Sequence, residues 1–99
     1  MRYAKRTDDN HRDVIDEFRL VMPDATLADM SGAGNGIPDV LIGWRGRNYL
    51  FEIKDPDKCP SARSLTDMQK EFHLSWQGQV KVVHCAAEIC AELARINAV

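Results

Sequence analysis

The stretch that decides the fold is Pro38–Asp55, "PDVLIGWRGRNYLFEIKD". Two short runs rich in apolar residues flank Arg45-Gly46, which predicts two antiparallel strands joined by a tight turn. Whether the turn holds two residues or four, the strands pair in the same register. That register places Asp39 directly opposite Glu52.

The register sorts the hairpin into two faces, because side chains alternate across a sheet. One face is apolar and is expected in the core; it carries Val40, Ile42, Trp44, Tyr49, Phe51 and Ile53. The other face has Leu41 and Leu50 in its middle. It gathers Asp39, Glu52 and Lys54 at one end.

Two opposed carboxylates on one sheet face require a positive charge between them. Directly opposed residues have Cβ atoms roughly 4.5–5.5 Å apart, so Asp39 and Glu52 would repel each other. The ammonium group of Lys54 can offset this repulsion, and so can a divalent metal ion. Mg²⁺ prefers oxygen ligands, which the two carboxylates and the backbone carbonyl of Ile53 supply.

These residue types suit metal-assisted hydrolysis of a phosphodiester. A metal held by Asp39 and Glu52 can acidify a water molecule and polarise a phosphate. Lys54 would orient the nucleophile or stabilise charge on the phosphoryl oxygens. The alternative is structural: Asp39 ends a strand, while Glu52 and Lys54 form a surface ion pair.

The rest of the chain predicts an α/β fold. Helical periodicity in "TDDNHRDVIDEFRLVM", "TDMQKEFHLSW" and "AAEICAELARINA" alternates with strand patterns in "ATLADM", the hairpin and "VKVVH". "PDKCPSARS" is expected to be a loop, since it contains Pro56 and Pro60. The order αβββαβα predicts a mixed four-stranded sheet flanked by helices, with the last strand parallel to its neighbour after a helical crossover.

Composition excludes several classes of protein. Residues 1–99 are enough for one domain with one core, and the composition is that of an ordinary globular protein. No apolar run is long enough to span a bilayer, and the first ten residues lack the apolar region of a signal peptide. Three cysteines give no disulfide framework or zinc pattern, so a cytoplasmic location is expected. A net charge of −2 argues against coating nucleic acid nonspecifically, but not against a local basic patch.

The motif Pro38-Asp39 followed by Glu52-Ile53-Lys54 resembles the signature of the PD-(D/E)XK nuclease superfamily. The wider stretches "GNGIPDVLIGWRGRNYLFEIKD" and "PSARSLTDMQKEFHLSWQGQVKVV" are similar to the stand-alone, phage-type members of the VRR-NUC (virus-type replication-repair nuclease) family. The likeness covers roughly residues 10–88, which is most of the chain.

The resemblance implies a restriction-endonuclease-like core and a DNA endonuclease that depends on Mg²⁺ or Mn²⁺. Such small members are similar to Holliday-junction resolvases, which implies selectivity for branched DNA and a homodimer that cuts two symmetry-related strands. It further implies a phage or prophage protein acting in the host cytoplasm. The alternative function is a module on a nuclease fold that binds DNA or a partner without cutting.

Charged residues outside the hairpin are secondary candidates. The family carries an acidic residue, usually Glu, on its first helix, and Asp13 matches it as a metal ligand. Glu17, which borders the apolar stripe, is the other possibility. Lys58, Ser61 and Arg63 either contact backbone phosphates of DNA or belong to a solvated loop.

Gln69 matches the glutamine that the family places on the helix after the lysine strand. There it would act in catalysis by holding Lys54 or a metal-bound water. Gln69 is also the third helical residue after Thr66, which predicts a capping box. One residue can serve both purposes. The histidines lack the spacing of metal ligands and are interpreted as structural or surface residues: His11, His73 and His84.

Overall fold

The predicted hairpin is present, with the predicted register. The computed structural model describes residues 10–98, without the side chains of Ser61 and Ala62. Strands β2 (Val40–Trp44) and β3 (Arg47–Ile53) pair antiparallel, with Val40 opposite Phe51. The two turn residues, Arg45 and Gly46, have φ angles of 51° and 77°. A two-residue turn with positive φ at both positions has the twist that neighbouring strands need.

Two further strands complete a mixed sheet. Strand β1 (Thr26–Asp29) pairs antiparallel with β2, and β4 (Lys81–Val83) pairs parallel with β3. The sheet order is β1-β2-β3-β4. The fold class predicted from the sequence, including the parallel last strand, is therefore confirmed.

Four helices accompany the sheet: α1 (His11–Val21), α2 (Pro60–Arg63), α3 (Asp67–Ser75) and α4 (Ala86–Ile96). Helix α2 lies in the segment predicted to be a loop, so that prediction is wrong for four residues. Pro60 occupies the first helical position, where a missing N–H costs no hydrogen bond and a fixed φ favours the helix. The remaining elements follow the predicted order αβββαβα.

The hydrophobic core lies between the apolar face of the sheet and helices α1 and α4. Its largest side chains come from all these elements: Ile15, Phe18, Ile42, Tyr49, Phe51, Ile53, Ile89 and Leu93. Each of these is at most 2% exposed. This packing holds β2 and β3 firmly on one side and directs their other side chains away from the core.

Helix α3 lies against the opposite face of the sheet and buries little apolar surface. Gln69 is the buried residue of this helix, whereas Met68 and Leu74 are 52% and 86% exposed. Polar contacts at the sheet end therefore contribute much of what places α3. Within residues 10–98, no helix has the length and apolar content needed to cross a membrane.

Candidate active site

Asp39, Glu52 and Lys54 lie at the end of the sheet where β2 begins and β3 ends. Asp39 and Glu52 are each 2% exposed, and Lys54 is 6% exposed. Since Val40 faces Phe51, continuing the register places Asp39 opposite Glu52, as the sequence predicted. Three ionisable side chains are thus nearly excluded from water at one end of the sheet. An arrangement of this kind is typical of functional sites, because burying charges is costly.

The carboxylate of Asp39 is held by the backbone of β3. The amide of Ile53 donates a hydrogen bond to Oδ2 of Asp39 over 2.7 Å. The next amide, that of Lys54, donates in the other direction to the carbonyl of Val83 over 2.9 Å. Because the N–H and C=O of one strand residue point to the same neighbour, the carbonyl of Ile53 also faces the side on which Asp39 lies.

The carboxylate of Glu52 contacts both Gln69 and Lys54. The side-chain amide of Gln69 donates to Oε2 of Glu52 over 3.0 Å. The ammonium nitrogen of Lys54 lies 4.0 Å from the same oxygen. Counting Asp39, the cluster carries two carboxylates and one ammonium.

Gln69 forms the helix cap that the sequence predicted, whereas its role in catalysis stays a prediction. The side-chain Oε1 of Gln69 accepts a hydrogen bond from the backbone amide of Thr66 over 2.9 Å. The backbone amide of Gln69 donates to Oγ1 of Thr66 over 3.2 Å. The predicted capping box is therefore confirmed. The remaining side-chain group, Nε2, reaches the site through Glu52 rather than through Lys54. The helix cap thus orients the amide that meets the carboxylate.

A glycine-containing loop supports the start of α3. Gly34, Asn35 and Gly36 have φ angles of 72°, 56° and 78°. A Cβ on Gly36 would overlap the carbonyl oxygen of Met68 and lie 3.1 Å from the amide of Gln69. The absence of a side chain at Gly36 therefore lets this loop contact the helix next to the residue that binds Glu52.

His73, interpreted from the sequence as a structural or surface residue, is half-buried on α3. It lies one turn after Gln69 on α3, and its Nε2 atom is buried without a hydrogen-bond partner among the described residues. Burial lowers the pKa of His73, and the positive charge of Lys54 lowers it further. The spacing of four residues places His73 on the same helix face as Gln69, because residues i and i+4 are neighbours there.

Asn10 ties the start of α1 to the end of the sheet. Its side-chain amide donates to the carbonyl of His84 over 3.0 Å and lies 3.4 Å from the carbonyl of Lys54. This polar contact spans the carboxyl ends of the parallel strands β3 and β4. The first turn of α1, which carries Asp13, is thereby anchored near the candidate site.

The two acidic residues proposed for α1 differ from the buried cluster at the sheet end in being open to solvent. Asp13 and Glu17 are both exposed. Burial, followed by the negative charge of Glu17, raises the pKa of Cys90, which places Glu17 near α4. Within residues 10–98, no three His, Cys, Asp or Glu side chains are grouped closely enough to hold a metal ion. The role of Asp13 as a ligand stays a prediction.

The donor set at the sheet end fits a hard divalent cation. The two carboxylates and the carbonyl of Ile53 offer only oxygen atoms. Mg²⁺ is usually bound through one or two carboxylates together with several water molecules. Asp39 and Glu52 would therefore be the main protein ligands, and their combined charge would be offset when a cation is bound.

The basic residues after Lys54 lie in the segment that leads to α3. The guanidinium group of Arg63 is exposed and donates to the carbonyl of Pro56 over 3.3 Å. Lys58 is half-buried, with its amide 3.3 Å from the carbonyl of Asp55. Ser61 lies in α2, but its side chain is outside the described part of the chain. DNA contacts by these residues stay a prediction.

Comparison of the chain with protein-family models, curated proteins and solved structures finds no match.

Proposed function

We propose that the protein is a DNA endonuclease that depends on Mg²⁺ or Mn²⁺ and hydrolyses phosphodiester bonds in branched DNA. The observation that carries the proposal is the burial of Asp39, Glu52 and Lys54 together at one end of the sheet. The short motif and its surroundings support membership of the VRR-NUC group within the PD-(D/E)XK nucleases. That likeness also supports a homodimer, and a phage or prophage protein acting in the host cytoplasm.

The carboxylates would hold the metal ion. Asp39 is fixed by the amide of Ile53, and Glu52 by the amide of Gln69, so both are oriented before the ion binds. A bound divalent cation lowers the pKa of a coordinated water and polarises the phosphate. Fixed ligands make such a site effective, because little reorganisation is needed during the reaction.

Lys54 would stabilise the negative charge that grows on the phosphoryl oxygens. Its ammonium group carries three donors. Lys54 is also the most exposed of the three charged residues, so the phosphate would reach the site from its side. In the reaction, the oxygen of a water molecule bonds to phosphorus and the bond from phosphorus to one sugar oxygen breaks. The products are a phosphomonoester and a free hydroxyl group.

Branched DNA is the substrate that best matches the surface of the chain. Lys58 and Arg63 follow Lys54 in one short segment of the chain. The loops are too short to read a long base sequence in a groove. Phosphate geometry and DNA shape are therefore the expected recognition signals. A two-fold dimer of such domains would present two sites to two strands of a junction.

The experiment measures cleavage of a four-way junction, a replication fork and a linear duplex, each with Mg²⁺ or Mn²⁺. We expect the wild-type protein to cut branched DNA, and Glu52→Gln and Lys54→Met each to lose at least about 100-fold in rate. Glu71→Gln and Lys70→Met make the same changes on the exposed side of α3. These two controls should cut at rates close to that of the wild type.

Binding is measured in parallel with Ca²⁺ in place of the active metal. Retained binding by Glu52→Gln, together with lost cleavage, supports catalysis at this site. Tight binding without cleavage by the wild type under any divalent metal contradicts the proposal and favours a binding module. Equal cleavage by Glu52→Gln and the wild type would show that the carboxylate cluster is not the active site.

A further inference from the structure

Trp76, the C-terminal cap residue of α3, has a large aromatic side chain that is 46% exposed. Its ring stacks on that of Phe72, with the ring centroids 5.0 Å apart and the two planes 17° from parallel. Within residues 10–98, no other aromatic ring contacts Trp76. Phe72 therefore covers one face of the indole and holds its plane, while much of the ring stays open to solvent.

The position of Trp76 relative to the carboxylates follows from the geometry of α3. Trp76 comes seven residues after Gln69, whose side-chain amide donates to Glu52. The backbone amide of Trp76 still bonds to the carbonyl of Phe72, so the helical geometry extends to it. Seven residues are nearly two turns and rise about 10 Å. Trp76 and Gln69 thus project from the same side of α3, with Phe72 between them.

The chain after Trp76 supports this placement independently. Oε1 of Gln79 accepts a hydrogen bond from the amide of Leu50 over 2.6 Å. Leu50 precedes Glu52 by two residues, which is about 6.6–6.8 Å along β3. Helix α3 therefore runs back along β3 from the carboxylates, and Trp76 lies about 10 Å from them along the helix.

A glycine lets the indole of Trp76 pack against the backbone. A Cβ on Gly78 would lie 2.9 Å from Nε1 of Trp76 and 3.5 Å from Cε2. The ring is therefore restrained by Phe72 on one side and by Gly78 at its edge. A side chain that is already held in place loses little conformational freedom when it binds a ligand.

The ligand that suits this ring best is a nucleobase. Stacking on an aromatic side chain uses the flat face that every base has, and it reads no sequence. The other exposed apolar residues of α3 are Met68, in its first turn, and Leu74, on the opposite side of the helix. They do not extend the ring of Trp76 into the continuous apolar surface that marks a protein interface.

We propose that Trp76 stacks on an unpaired base of the DNA substrate and thereby favours branched DNA over a continuous duplex. Bases inside a duplex already stack on both sides, whereas a branch or an unpaired arm offers a free face. A DNA strand rises 3.4 Å per nucleotide, so a ring about 10 Å from the carboxylates is reached about three nucleotides from the phosphate that is cut. Positive residues at the site and in the segment leading to α3 complement the intervening phosphates: Lys54, Lys58 and Arg63. The effect on selectivity rests on the proposed nuclease function, but the stacking does not.

The first experiment measures binding to a DNA fork with unpaired arms and to a blunt duplex, with Ca²⁺ in place of the active metal. We expect Trp76→Ala to bind the fork at least about 5-fold more weakly than the wild type. Its affinity for the duplex should change by less than about 2-fold, since a duplex offers no free base face. Trp76→Phe keeps a ring that can stack and should retain most of the affinity. Leu74→Ala removes an exposed apolar residue from the same helix and should bind like the wild type.

The second experiment removes the base instead of the ring. Single positions of an unpaired arm are replaced in turn by an abasic nucleotide. At one position, about three nucleotides from the cut, the wild type should lose the same factor in affinity as Trp76→Ala loses on intact DNA. Trp76→Ala itself should lose nothing there, because the two changes remove one contact. Trp44→Phe leaves Trp76 as the one tryptophan, and its fluorescence should be quenched by the intact fork and not by the abasic one.

These measurements separate the failure of this inference from that of the proposed function. Equal binding of the fork by Trp76→Ala and the wild type overturns the inference, and so does an equal loss on fork and duplex. A wild-type dimer that Trp76→Ala dissociates in sedimentation also overturns it, because the ring would then be part of a protein interface. If Trp76 stacks on the fork but the wild type cuts no DNA with any divalent metal, the proposed function fails while the stacking stands. If Glu52→Gln abolishes cleavage and Trp76→Ala keeps the wild-type preference for forks, the function stands and this inference fails.

Discussion

From the hydrogen bond between Gln69 and Glu52 we predict that Gln69→Glu lowers the free energy of unfolding in a way that depends on pH. Glutamate is a favoured residue at this position of a capping box, so the variant keeps the capping hydrogen bonds with Thr66. The same substitution replaces an N–H donor with a carboxylate oxygen close to Oε2 of Glu52, where the wild-type amide lies 3.0 Å away. The variant therefore isolates the contact at the site from the helix cap.

The size of the effect follows from the distance. Two full charges 3.0 Å apart repel by roughly 5–6 kcal/mol at an effective dielectric of about 20. Taking up one proton removes this repulsion and restores a hydrogen bond. Glutamate has a pKa of about 4.3, so at pH 7 the proton costs about 1.4 kcal/mol for each of about 2.7 pH units, or about 4 kcal/mol. Protonating the pair costs less free energy than leaving both carboxylates charged. The cost of protonation therefore sets the upper limit of the loss in stability.

The expected result is a free energy of unfolding that is lower by up to about 4 kcal/mol at pH 7. The pair keeps a proton in the folded variant that the unfolded chain releases, so the folded-state pKa is raised. Stability is then retained below about pH 4.3 and lost as the pH rises, by about 1.4 kcal/mol per unit. Urea denaturation at pH 4.5, 5.5 and 7, followed by tryptophan fluorescence in EDTA, measures this dependence against the wild type.

Gln77→Glu is the matched control, since Gln77 is exposed just after the same helix. We expect it to change the free energy of unfolding by less than about 0.5 kcal/mol at every pH. A loss of less than about 1 kcal/mol for Gln69→Glu at pH 7 would refute the reasoning. So would a large loss that is the same at pH 4.5 and at pH 7, because it would not come from paired carboxylates.

Two further predictions concern regions next to the site. Gly36→Ala should lower the free energy of unfolding by about 2 kcal/mol or more, because Gly36 has a φ of 78° and contacts the backbone of Met68. Gly32→Ala is the control, since no atom lies within 4 Å of a Cβ at Gly32. Equal stability of the two variants in urea would contradict the packing described. Burial would raise the pKa of Glu88, but hydrogen bonds from His84 outweigh it and hold that pKa below its usual value. Glu88 thus adds stability above its unfolded pKa of about 4.3 that is lost as the pH falls, so unfolding followed from pH 6 to pH 3 should depend less on pH in Glu88→Gln, and an unchanged slope would rule this out.

Local patterns in the sequence were enough to predict the hairpin and its register. A short apolar run is a property of neighbouring positions, and the turn at Arg45-Gly46 leaves little freedom in how the strands pair. The placement of Asp39 opposite Glu52 followed directly. The capping box of Thr66 and Gln69 was equally predictable, because all of its hydrogen bonds lie within four residues.

Tertiary structure decided which groups those local elements present to each other. The bond from Gln69 to Glu52 joins residues 17 apart in sequence, and that from Asn10 to His84 joins residues 74 apart. Helical periodicity places Gln69 and His73 on one face of α3 but does not say what that face meets. Helix α3 buries Gln69 and leaves Met68 and Leu74 exposed, because the sheet face beneath it ends in charged groups that need hydrogen bonds. Periodicity therefore determined the elements of this protein and their pairing within the hairpin, whereas contacts between distant segments, which depend on how all layers pack at once, determined the chemistry of the site.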